Sequence, residues 1–333
     1  MAAGDVLVAA AGIGLGCDED EEYCPSLEPF FFDEAEAVAD HERRLRREQE
    51  EAQKEEQRVR AANANKFVHA KILDYDPKQG GRYYNRFFMA DFSRFDLDEE
   101  SPLDPMRHTD RVFIKGDRYA QLDAVNILSV KIASLDVDFP INVYGTVIAR
   151  DSIDLKCVYL FRREKDHPQL ITSKDESLIL TGPKRGLVLL GDAYVEIDLK
   201  ITDDQGQEEE LSKGFLTIRG IAVVNKAVEA TISVEVIEGE FSGKITASAA
   251  GTLNLVLHDS EVAGVMNGNG KGVIQLLPVS VSLDGYLLVT FVDKIGNLKS
   301  LGFTPSIKGR VEAGAKVGLT RMLVKVAWSL VEA

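Results

Sequence analysis

Hydrophobic and polar positions alternate most plainly in residues 139–154, FPINVYGTVIARDSID, where Val143, Gly145, Val147 and Ala149 interleave with Tyr144, Thr146, Ile148 and Arg150. Period-two alternation rich in β-branched residues predicts a strand with two differently solvated faces. Asp151-Ser152-Ile153-Asp154 supplies the turn that follows it. The same style fills the chain from residue 124 onward. Segments 125–139, 141–150, 156–161, 169–172, 177–180, 186–190, 194–201 and 211–220 read as strands separated by Pro, Gly, Asp or Lys clusters. A second set follows at 227–237, 239–249, 252–258, 271–281, 286–292, 307–314 and 317–330. No amphipathic segment of helix length intervenes, which predicts an all-β, antiparallel β-sandwich type of fold rather than a β-α-β one.

The two sets echo each other. ISVEVIEGEFSGKITASAAGTLNLVLHDS repeats the pattern of VKIASLDVDFPINVYGTVIARDSIDLKCVYLF, about one hundred residues apart, a common sandwich size. The expectation is two packed sandwich halves, a first β unit at 124–220 and a second at 221–333.

Ahead of them the pattern changes. Residues 33–65 are rich in Ala, Glu, Arg, Lys and Gln and hold no Gly or Pro, which predicts a charged N-terminal α-helix over 35–65. Val38, Leu45, Ala52 and Val59 recur every seven residues, but the stripe is one residue wide, too thin for a coiled coil. Pairs such as Glu42/Arg46 and Glu50/Lys54 at i,i+4 stabilise a solvated helix by roughly 0.2–0.5 kcal/mol each. An exposed spacer is the expectation, with a partner-binding or dimerising helix as the alternative. Residues 1–34 read as an acidic, largely disordered leader, and 66–123 as a connector packed on the β region. Within that connector, GGRYYNRFF reads as aromatics pinning a loop rather than as a nucleic-acid stacking platform.

Charge sharpens this picture. The chain of 333 residues carries a net charge of −15, and residues 1–66 hold 17 acidic against 8 basic side chains. An acidic surface opposes binding to phosphate backbones, so no nucleic acid is expected as a partner. The hydrophobic fraction of 45% and charged fraction of 28% are those of a globular protein. Residues 1–16 are apolar but lack a basic flank and contain Asp5, and no run reaches the roughly 20 apolar residues of a span. Secretion and a transmembrane segment are therefore not expected. Cys17, Cys24 and Cys157 form neither a paired framework nor a metal-ligand pattern, which points to an intracellular, cytoplasmic setting.

Several pieces, FPINVYGTVIARDSIDLKCVYLFRRE, QLIT, LILTGPKRG, YVEIDLKI and VAWSL, together resemble a plant family abundant in grasses, the domain of unknown function 6598 family, over residues 124–331. The resemblance implies a β-rich plant domain without established catalysis and a defence- or stress-related role. Some relatives look like fusions to a ribosome-inactivating N-glycosidase, whose helix motif is Glu-Ala-x-x-Arg. The nearest match here, Glu36-Ala37-Val38-Ala39, ends in Asp40, so an accessory domain without the catalytic one is one alternative.

Among candidate sites, Asp151, Asp154, Asp203 and Asp204 leave strand ends. Clustered carboxylates on adjacent loops gather Ca²⁺, which takes six to eight oxygens, and the alternative of a C2-like Ca²⁺ or membrane-binding module rests on them. Turn formation explains the same residues more simply. Arg162, Arg163, Lys184 and Arg185 are the candidates for anion binding, since paired guanidinium groups match phosphate and carboxylate geometry. Neither 180–186, LTGPKRG, nor 264–272, GVMNGNGKG, has the spacing and context of a phosphate loop. The five histidines show no catalytic spacing. Cys157 and Trp328 read as buried packing residues. The sequence thus predicts no catalytic residue and no cofactor, a non-enzymatic β-rich interaction module with a protein partner, and an oligomeric state left open.

Overall fold

In the computed structural model, residues 34–77, 80–114, 119–132, 138–202, 208–218, 223–249, 255–268 and 273–331 are described. The leader through residue 33, with Cys17 and Cys24, and the pair Asp203 and Asp204 lie outside them. The Gly- and Pro-free stretch forms one helix, α1 (Glu34–Ile72). It continues past the expected end at residue 65 because Lys66-Phe67-Val68-His69-Ala70-Lys71 contains no breaker, and Val68 and Ile72 gain a packing partner in the connector. Residues Met1–Glu56 and Gln57–Ala333 are separate units. Within the first, the described part of α1 leaves Val38 and Leu45 exposed. No described helix is long and apolar enough to cross a membrane.

The rest is antiparallel β structure. The connector opens with a hairpin of β1 (Leu73–Asp76) and β2 (Gly81–Tyr84). The first half contains β3 (Asp123–Val125), β4 (Val130–Lys131), β5 (Ile141–Arg150), β6 (Val158–Arg163), β7 (Gln169–Ile171), β8 (Ser177–Leu178), β9 (Leu187–Leu189), β10 (Ala193–Thr202) and β11 (Glu208–Ile218). The second contains β12 (Val223–Val224), β13 (Ala227–Glu238), β14 (Glu240–Phe241), β15 (Gly243–Ala249) and β16 (Leu255–Asp259). After a single helical turn, α2 (Ser260–Ala263), come β17 (Met266–Asn267), β18 (Val273–Gln275), β19 (Val279–Ser282), β20 (Leu287–Asp293), β21 (Leu298–Phe303), β22 (Lys308–Val317) and β23 (Thr320–Leu330). Three expected strands are broken. Among the described residues of 125–139 only Val125, the end of β3, and β4 are strand, 239–249 divides into β14 and β15, and Pro278, which lacks an amide donor, separates β18 from β19.

The two halves share one plan. In the first, the main sheet runs β11-β10-β5-β6; in the second it runs β21-β20-β15-β16. Register makes the match residue by residue. Gly145 on β5 lies opposite Leu199, and a Cβ there would sit 2.2 Å from the Asp198 carbonyl oxygen. Gly243 on β15 lies opposite Asp293, and its Cβ would sit 2.0 Å from the Val292 oxygen. Pairing with the outer neighbour then slips at the same distance beyond each glycine, between Val147 and Ile148 and between Ile245 and Thr246. The facing layers agree as well. β13 pairs with β19 near its start and with β18 further along, just as β3 pairs with β9 and β4 with β8.

The halves differ in what covers them. Along its other side β13 carries the hairpin β22–β23, and the two sheets enclose a core that includes Ile232, Val289, Phe291, Val324 and Trp328, a sandwich in the full sense. In the first half, among the described residues, only β12 flanks β3 on that side, and the core, which includes Val143, Val147, Leu160, Phe161 and Val195, is smaller. There the connector covers the opposite face of the main sheet. Phe87, Phe92 and Leu97 pack together with Ile72 and Tyr194, the Phe87 and Tyr194 rings 4.3 Å apart.

Candidate functional site

Polar side chains buried where the connector and the two halves meet form the most unusual chemistry of the β body. Cross-strand partners share a face of a sheet, so Val195 and Ala149 point to the core while Tyr194, Glu196 and Arg150 point away from it, toward the connector. Arg150 is fully buried there and donates from Nε to Glu196 Oε1 at 2.6 Å. Its other nitrogens donate to the carbonyls of Leu155 at 2.8 Å and Leu97 at 2.5 Å. Glu196 also accepts from Arg86 Nε at 2.9 Å and from the Phe87 amide at 3.1 Å. Asp98 completes the cluster by contacting Arg86. Burial opposes the charges of Arg86 and Asp98, but the ion pairs outweigh it, raising the Arg86 pKa and lowering that of Asp98.

A second cluster adjoins the turn after β5. Arg185 is buried and grips Asp151 with two nitrogens, at 2.5 and 3.0 Å. It donates further to the Gly186 carbonyl at 3.0 Å and to Ser101 Oγ at 3.3 Å, and reaches Asp154 at 3.5 Å. Asp151 accepts in addition from the Val188 amide at 2.8 Å, and Asp154 from Ser101 Oγ at 2.7 Å. The bidentate grip leaves little of the Asp151 carboxylate for another ligand.

The third element joins the halves. Asn126 and Glu229 follow Val125 and Val228, which pair with Leu187 and Val281 in the equivalent ladders. Each reaches into the other half. Asn126 exchanges hydrogen bonds with the backbone of Ser280, at 2.8 and 2.9 Å, and Glu229 accepts from the Gly186 amide at 2.6 Å. Glu229 also accepts from the Met106 amide of the connector at 2.7 Å. Beside them lies an apolar cluster of Ala124, Val188, Val224, Ala227 and Val331, in which Ala124 and Ala227 hold equivalent positions. The seam therefore has an approximate two-fold symmetry. Asn126, Gly186, Leu187 and Ser280 line a cavity of about 10 Å³ in it, room for one water molecule.

Of the residues singled out from the sequence, Asp151, Asp154 and Arg185 come together as one another's ion-pair partners. Lys184 pairs with Glu100 at 3.2 Å. Arg162 is exposed, lies over the Tyr159 ring at 4.7 Å and faces Glu164 at 4.0 Å. Arg163 is half-buried, its Nε without a hydrogen-bond partner. Among the described residues no group of three or more His, Cys, Asp and Glu converges as metal ligands do. Cys157 is buried and donates to the Leu97 carbonyl at 3.3 Å, and burial, opposed by Arg150, pushes its thiol pKa up. A thiol held protonated is a poor nucleophile.

Arg150, Glu196 and Arg86 beneath the connector, Ser101 beside Arg185, and Asn126 and Glu229 at the seam were not legible as a group. Arg150 and Glu196 occupy the polar positions of alternating strands, which reads as a solvated face, and their cover comes from the connector. Glu229, a lone acid in the apolar run AVEATISV, was the available signal.

The family model described as Domain of unknown function (DUF6598) matches residues 124–221 and again residues 219–326. No curated protein and no solved structure matches the chain.

Proposed function

The chain belongs to the DUF6598 family, whose domain it carries twice, and from that premise we propose that it is a non-enzymatic, intracellular plant interaction module. The body serves as a rigid base, and the partner is a protein met through the exposed part of α1. One observation carries this reading: Val38 and Leu45 stand seven residues apart on α1 and are 53% and 42% exposed. An apolar stripe presented to solvent favours a partner that covers it, by helix-in-groove recognition. The buried ionisable groups of the body support a scaffold role, since Asp151, Arg185, Arg150 and Glu196 are taken up by one another.

The test is a pull-down from plant extract with the full chain and with a Val38→Glu/Leu45→Glu variant. The expected outcome is a protein retained by the first and lost by the second. Equal retention by both would move the interaction off the helix.

A further inference from the structure

We propose that the edge strand β22 pairs with β22 of a second copy, antiparallel about Gly314, so that the sheet β18-β13-β23-β22 continues across a homodimer. β22 ends that sheet, and among the described residues no strand pairs with its outer side. The connector closes only its beginning. The Gly309 amide donates to the Thr109 carbonyl at 2.9 Å, Lys308 Nζ donates to the Arg111 carbonyl at 3.1 Å, and Arg310 pairs with Asp110 at 2.9 Å. Residues 311–317 remain as an unpaired edge.

Those residues read Val-Glu-Ala-Gly-Ala-Lys-Val, a palindrome in size and a complement in charge. Placed antiparallel about Gly314, Glu312 of each copy faces Lys316 of the other, Val311 faces Val317, and Ala313 faces Ala315. Opposed residues in such a pair share a face, and the faces agree with the fold. Ala315 and Val317 belong to the buried core with Ala313 packed on it, whereas Glu312 and Lys316 lie on the outside. Sliding the register by two residues in one direction sets Lys316 against Arg310, a like-charge pair, and sliding by one turns the apolar positions to the wrong face.

Gly314 adds an independent reason. A Cβ at this position meets nothing within 4 Å, and its backbone is not in the left-handed region. The single chain therefore gives no reason for glycine there, and a glycine inside a strand often marks the close approach of another backbone. Charges on an edge ordinarily ward off pairing. Here Glu312 and Lys316 repel most foreign strands and match their own copy, which makes the contact isologous.

Sedimentation equilibrium of the full chain over about 1 to 100 µM tests this, since a small edge contact gives micromolar affinity. The expected result is a monomer–dimer equilibrium. Glu312→Lys and Lys316→Glu each place like charges opposite one another and should weaken it at least tenfold, while a one-to-one mixture of the two variants should dimerise again. The double swap Glu312→Lys/Lys316→Glu should dimerise as the parent does, and circular dichroism checks that each variant folds. A parent that stays monomeric at the highest concentration, or single variants that dimerise as tightly as the parent, would overturn the proposal. The α1 variant described above should keep the dimer, so the two interactions fail separately.

Discussion

The first and second halves of the β body are built on the same sheet and filled differently. Counting from Gly145 and Gly243, Arg150 and Asp151 correspond to Ser248 and Ala249; counting along β10 and β20, Glu196 corresponds to Thr290. Arg185 stands two residues before Leu187 as Val279 stands two before Val281. Where the first half buries two ion pairs, the second buries Ala249 and Val279 and turns Ser248 and Thr290 to its outer face. The difference follows what lies on that face. The first half lends it to the connector, whose Arg86, Leu97 and Ser101 need polar partners, while the second leaves Val256 half exposed on it. A buried ion pair contributes little net stability over an apolar pair of similar volume, but it fixes which segment fits. In this body the strand plan sets the fold and the ion pairs select the cover.

The largest effect is expected of Asp151→Ala, which leaves Arg185 buried without its bidentate partner, only Asp154 remaining at 3.5 Å, and should cost about 3–5 kcal/mol of stability by chemical denaturation. Adding Arg185→Val copies the Ala249/Val279 pair of the second half and should recover most of that loss. A double variant as unstable as the single one would mean that the halves are not interchangeable there. Next in size, Gly145→Ala and Gly243→Ala should each cost about 1–3 kcal/mol, by forcing a Cβ onto a partner-strand carbonyl. Similar losses would confirm the shared plan, and a loss in only one half would confine it.

The smallest effect is pH-dependent. His258 lies opposite Ile245 as Phe161 lies opposite Val147, and its Nε2 is 3.1 Å from Ser260 Oγ. Burial lowers its pKa, opposed by Asp259. The unfolded chain then takes up the proton first, so stability is complete above about pH 6.5 and falls as pH drops toward the folded-state value. His258→Phe should flatten the change in melting temperature between neutral and mildly acidic pH, and an unchanged slope would assign it to other groups.

The all-β antiparallel sandwich fold, the helix before it and the echo between the halves were legible because they rest on local signals. Alternation in 141–150 marks β5, and the absence of Gly and Pro marks α1. Where local signals failed, a distant segment intervened. Residues 125–139 alternate well, yet the strand breaks after Val125, and Asn126 turns to bond with Ser280 across the seam. Gly145 was read as one more member of an alternating strand, although its φ of 112° places it outside the ordinary extended region. Asp151 and Arg185 were both noticed, but from opposite chemistries. Nothing in their spacing tells that the Gly182–Gly186 loop returns to the turn after β5.

The connector also sets an order of events. It leaves the ribosome before the groups that hold it, and those groups come late: Glu196 lies 109 residues after Phe87, Glu229 lies 123 after Met106, and Ser329 lies 221 after His108. Contacts at such separations close slowly. The Phe87 segment can settle once β10 has emerged, but His108 waits for β23. A chain lacking β23 would therefore loosen the connector around His108, more than two hundred residues upstream, where limited proteolysis would find it.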